Sequence, residues 1–169
     1  MSSTVPELLV LGWGNLSRGD DALGPRCMAA LREALPSPLL NNVGFLEDYQ
    51  LQVEFALDLV GRKQVLFIDA SVDCEAPFEV RKALPRNDSS ISSHALSPEA
   101  LLQVFVTLQG QTPPPATVLA IRATSFELGE PMTAAAELNL AAASQWALDW
   151  IQAQHKYPME QPKTDRMEE

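Results

Sequence analysis

Cysteine is nearly missing from this chain of 169 residues, which has only Cys27 and Cys74. Neither falls in a CxxC pair or a zinc-ligand spacing, so a disulfide framework is excluded and a reduced, cytosolic protein is expected. Cys27 lies on an apolar helical face, where a free cysteine is read as a small core residue. Long hydrophobic runs are missing too. No stretch of the sequence reaches the roughly 20 apolar residues of a membrane span. The start, MSSTVPELLVLGWGN, lacks both a basic segment and a sustained apolar run, which argues against a signal peptide. Basic residues are scarce: 12 Lys and Arg stand against 22 Asp and Glu, a net charge of −10. Such a surface repels phosphate backbones and anionic lipid, so neither nucleic acid nor membrane is an expected partner.

Several functional signatures are absent as well. GWGNLS, Gly12 to Ser17, has a serine where the third glycine of GxGxxG belongs, so the dinucleotide fingerprint fails. No GxxxxGK[ST], GxSxG or HExxH occurs, which argues against a P-loop, a serine α/β hydrolase and a zincin. Gly12 and Gly14 are read instead as residues that let the backbone turn tightly and approach a partner closely.

What is present alternates. Short apolar runs, at Glu7–Gly12, Asn42–Asp48, Arg62–Ser71 and Ala116–Ala123, read as strands, and Val65–Ile68 is apolar without interruption, as burial on both faces requires. Pro77–Leu84 reads as an edge strand. Between them, Leu23, Cys27, Ala30, Leu31, Ala34 and Leu35 recur at helical spacing until Pro36 and Pro38 end the helix. Leu51–Leu59 predicts a short helix. Ser97 followed by Pro98 is an N-cap followed by a first helical position, opening a helix to about Gln109. Thr133 caps a last helix in which Leu140, Ala143, Ala147, Trp150 and Ile151 share a face. The fold class is therefore α/β: a doubly wound, mostly parallel twisted sheet with helices on both faces. Residues 1–155 are expected to form a single domain, and 156–169 a polar, disordered tail.

In such a sheet, ligands bind beyond the carboxyl ends of the strands, where the strand order reverses. If the first and third strands are neighbours, Asp20 and Asp21 meet Asp69, and His94, in the loop before the Ser97 helix, lies on the same side. Carboxylates with one imidazole suit a borderline divalent ion such as nickel or zinc better than calcium or magnesium. Each residue also has a plain structural use. Asp20 is a suitable helix N-cap, Asp21 a first-turn acid favoured by the helix dipole, Asp69 a turn residue, and His94 a solvent-facing loop residue.

GWGNLSRGDDALGP, VLFIDAS and SSHALSPEALLQVF together resemble the three signatures of the hydrogenase maturation endopeptidases, in the same order and over most of the chain. The resemblance implies a protease that removes a short C-terminal extension from the large-subunit precursor of a [NiFe]-hydrogenase. It also implies that two acids and a histidine hold nickel already carried by that precursor. Carried over, these are Asp21, Asp69 and His94, with aspartate at a first position that is often glutamate. Asp21 and Asp69 are then also the candidate catalytic residues, with Asp20 in support. Nickel would polarise the scissile carbonyl or lower the pKa of a water, or else Asp20 or Asp69 would act as general base; the residues leave both open. LEDYQLQVEFALDL, Leu46 to Leu59, resembles the branch serving NAD-reducing, bidirectional hydrogenases, although the histidine expected near Phe55 is absent. It places Glu47, Asp48 and Gln50, with Gly14 and Asn15, where they would read the substrate; Asp48 is equally suited to cap the next helix. No organic cofactor is implied, and a monomer forming a transient complex with its substrate is expected.

Two other readings use the same residues. A phosphorelay receiver domain also sets an acidic pair after strand one and an aspartate after strand three around magnesium. Here, though, the pair stands beyond the strand end, across Gly12–Gly19, and Arg122 replaces the expected lysine. A chaperone that binds the hydrogenase precursor without cutting it is the third.

Overall fold

A computed structural model of the chain describes residues 5–87 and 96–156. Five strands, β1 (Leu8–Trp13), β2 (Val43–Asp48), β3 (Gln64–Ser71), β4 (Phe78–Ala83) and β5 (Ala116–Arg122), form one sheet in the order β2-β1-β3-β5-β4. All neighbours are parallel except β4, which runs antiparallel along the outer edge of β5. The helices are α1 (Leu23–Ala34), α2 (Ser37–Leu40), α3 (Pro98–Gln109) and α4 (Ala134–Lys156), with 3-10 turns at Gly19–Ala22 and Val53–Leu59. The expected α/β architecture is the observed one.

Side-chain alternation divides the interior into two cores, one on each face of the sheet. Leu8, Val10, Leu66, Ile68, Leu119 and Ile121 pack beneath α1 and α4, together with Cys27, Met28, Leu140 and Ala143. Leu9, Leu11, Val65, Phe67 and Val118 turn to the other face and meet Leu101, Leu102 and Phe105 of α3 and Leu59 of the 3-10 turn. All six residues of β1 are buried, which explains its unbroken apolar sequence. Cys27 is the core residue expected of it, and burial pushes its thiol up to about 11, which removes it from thiolate chemistry.

The helix ends follow their residues. The Ser97 side chain accepts the Ala100 N–H at 3.1 Å, Pro98 stands in the first turn, and Gly110 closes α3 in the left-handed region at φ 62°. The Thr133 hydroxyl accepts the Ala136 N–H at 3.2 Å and so starts α4. Helix α1 stops at Ala34, before Pro36 and Pro38, as expected, and Pro38 then falls in the first turn of the separate α2, where its missing N–H costs nothing. One expectation is corrected. Leu51–Leu59 is only a 3-10 turn from Val53, and Gln52, not Asp48, precedes it. Helix α4 continues through Lys156, and the rest of the expected tail, 157–169, lies outside the described residues.

Candidate active site

From β1 the chain passes to β2 on one side and then returns to β3 on the other. The winding therefore reverses between β1 and β3, the position at which an open α/β sheet forms its ligand crevice beyond the carboxyl ends of the strands. Trp13 pairs with Asp48 of β2, and Gly12 with Ile68 of β3, so Asp48 and Trp13 end their strands at the level of Asp69, from which β3 continues two residues further along β5 to Ser71. Alternation sends Asp69 to the face of Val65 and Phe67, and Asp48 to the face of Leu46, which is the same α3 side. Trp13 is buried between them with its ring edge-on to Phe67 at 6.2 Å.

Asp21 reaches this crevice through a loop with little freedom. The Gly14 N–H donates to the Asp48 carbonyl at 3.1 Å, and a Cβ at Gly14 would collide with the Asp21 carbonyl oxygen. At φ 147° the position also suits glycine alone. The Asn15 N–H then donates to Asp21 Oδ2 at 2.8 Å, while Asn15 Oδ1 accepts the Ser17 N–H at 2.9 Å and tightens the turn. Gly14 and Asn15 thus hold Asp21 through their backbones.

The Asp69 carboxyl is pushed up to about 7, chiefly by burial. The Arg81 guanidinium opposes this, the Asp21 carboxylate adds to it, the Ala70 N–H opposes it, and Glu99 adds to it. Asp21 and Asp69 are therefore close enough to act on each other. A cation between them would relieve both the desolvation and the repulsion, so the donor set fits a divalent ion. His94, the third expected ligand, lies outside the described residues. Among the described residues no group of three or more histidine, cysteine, aspartate and glutamate side chains is placed to hold a metal.

Asp20 is corrected. It caps no helix: Arg18 precedes the 3-10 turn, Ala22 precedes α1, and neither makes a side-chain cap. Its wholly covered carboxylate instead accepts the Thr124 N–H at 2.8 Å, the Ser125 N–H at 3.2 Å, and both the N–H and the hydroxyl of Thr133, at 2.8 and 2.9 Å. It therefore ties the loop after β1 to the loop before α4. Nothing local in the sequence signals this, since the partners stand more than 100 positions away.

The substrate-reading candidates fall in different places. The Asp48 carboxylate accepts the Tyr49 N–H at 2.6 Å beside the crevice, and Gln50 is exposed. Glu47 points to the opposite face, where it pairs with Arg32 of α1 at 3.5 Å, so it does not share the crevice. One pair escaped the sequence reading. Arg81 of β4 donates its Nε to Glu99 of α3 at 3.1 Å, and both bear on Asp69. The available signals were the alternation of Glu79 and Arg81 along an edge strand and an acid in the first turn after Ser97.

No protein-family model matches the chain, and comparison with curated proteins gives no match. Solved structures do resemble it. The hydrogenase maturating endopeptidase HybD from E. coli is 23% identical, with a TM-score of 0.67 over 88% of this chain and 93% of its own. The [NiFe] hydrogenase maturation protease HycI from Thermococcus kodakarensis KOD1 is 18% identical, with a TM-score of 0.66 over 87% and 93%. The hydrogenase 2 maturation peptidase from Thaumarchaeota archaeon SCGC_AB-539-E09 is 25% identical, with a TM-score of 0.58 over 89% and 98%. The structural neighbours of this chain are thus hydrogenase maturation endopeptidases, and it shares their α/β fold over nearly the whole length of both partners.

Proposed function

We propose that this chain is an endopeptidase that removes a short C-terminal extension from the nickel-loaded precursor of a [NiFe]-hydrogenase large subunit. What supports the reading is the place of Asp69 beside the reversal point of the sheet, with its carboxyl pushed up to about 7 by burial and, in lesser part, by the Asp21 carboxylate. Two converging carboxylates, with His94 as the third donor, would leave coordination positions for groups of the precursor. Nickel is here part of the substrate, so cleavage awaits its insertion. Bound there, it would polarise the scissile carbonyl or acidify a water. The alternative leaves nickel to Asp21 and His94; Asp69, its carboxyl raised by burial, is then the candidate general base that takes a proton from the attacking water and returns it to the leaving amine. Asp21 serves as ligand, and Asp48 and Gln50 at the end of β2 contact the precursor's C-terminal region.

The segment Leu46–Leu59 supports the branch acting on NAD-reducing hydrogenases. Among the described residues no helix is long and apolar enough to cross a membrane, which is compatible with work in the cytoplasm. A receiver domain is disfavoured. Asp20, one half of its acidic pair, is consumed by backbone donors, and Arg122 is occupied by the Val72 and Cys74 carbonyls at 2.6 and 2.8 Å.

Incubation of the purified chain with precursor, loaded with nickel or free of it, tests the reading by intact mass. Loss of a C-terminal peptide from the loaded form alone is expected. An unchanged mass in both would leave only a non-cutting chaperone, and equal cleavage of both would remove nickel from recognition.

A further inference from the structure

Arg81 of β4 stands on the same face of the sheet as Asp69, and it is the one cation among the charged groups that act on that carboxyl, beside the carboxylates of Asp21 and Glu99. Geometry sets it there. Arg81 pairs with Val118, which pairs in turn with Phe67, two residues before Asp69 on the same face. Level with Asp69 on the intervening strand stands Ala120, whose side chain is a single methyl. The Glu99 side chain, only 13% exposed, accepts from Arg81 Nε at 3.1 Å and holds the guanidinium side-on. A guanidinium keeps its charge at every pH at which the protein folds.

We infer that Arg81, aimed by Glu99, is a specificity-determining residue whose fixed charge keeps the Asp21–Asp69 crevice from capturing free divalent cations. The inference rests on the reading of that crevice as a place for a substrate-borne ion. Two carboxylates with no cation beside them would attract free divalent ions, and an occupied crevice cannot inspect the precursor. One guanidinium nearby repels a bare dication. An ion delivered by the precursor arrives with part of its charge already neutralised by its own ligands, and is repelled less.

Calorimetric titration of the full-length chain with nickel(II) chloride alone, at one ionic strength, tests this. Arg81→Gln, whose amide can still bond to Glu99, is expected to bind nickel about tenfold tighter than wild type, as loss of a unit charge near a dication implies. Arg81→Lys is expected to match wild type. Equal or weaker binding by Arg81→Gln overturns the inference, as does an Arg81→Lys variant as tight as Arg81→Gln. Should Arg81→Gln fail to fold, Glu99→Gln is compared with the Arg81→Gln/Glu99→Gln double variant, which differs from it by the same charge. The double variant binding tighter supports the inference, and equality overturns it. Precursor takes no part in these titrations, so a failure of the proposed protease activity is read separately, in the cleavage assay.

Discussion

Four hydrogen bonds from Thr124, Ser125 and Thr133 converge on the Asp20 carboxylate. Burial pushes its carboxyl up, but these donors outweigh burial and hold it below the usual 3.8. A depressed carboxyl pKa contributes stability above the unfolded value, and that contribution is lost as pH falls through the lower folded value. Asp20→Ala is therefore expected to cost about 3 kcal/mol at pH 7 in urea unfolding, with the difference shrinking in acid below the unfolded pKa. Asp69 has the opposite sign. Its carboxyl is raised to about 7, so in the metal-free protein its contribution is intact below the unfolded value of 3.8 and lost as pH rises through about 7. Asp69→Asn is expected to raise the Tm of the metal-free protein at pH 8 and leave it unchanged at pH 4, while abolishing cleavage. A lower Tm at pH 8 would show that the ionised side chain has a structural partner instead.

At the scale of elements, the strands were legible because a buried parallel strand is apolar throughout, as Leu8–Leu11 and Val65–Ile68 are. The α3 start was legible because Ser97 and Pro98 encode it locally, and Ser97→Ala is expected to cost about 1 kcal/mol in the same unfolding assay. What escaped was non-local. Asp20 looked like a cap because its partners are brought to it only by the completed sheet. The Arg81–Glu99 pair joins an edge strand to a helix that follows it, and neither residue type is unusual where it stands. The helix expected at Leu51–Leu59 contracted to a 3-10 turn, since only Ala56 and Leu59 of that turn are buried. Gly14 was legible as a close approach, although what it approaches is the Asp21 backbone. Gly14→Ala is accordingly expected to displace Asp21, lowering kcat for precursor by tenfold or more (about 1.4 kcal/mol) beyond any loss of Tm.

Taken whole, the molecule places two cores around one sheet and leaves its acidic crevice where the winding reverses between β1 and β3. In the proposed reading Asp21 and Asp69 serve together at this crevice, and the neighbouring Arg81 limits what they attract. The most direct test is the intact mass of nickel-loaded precursor after exposure to wild type, Asp21→Asn and Asp69→Asn, with Tm recorded for each. Removal of the C-terminal extension by wild type alone, with both variants folded, is the predicted result. Processing at the wild-type rate by either variant would contradict it.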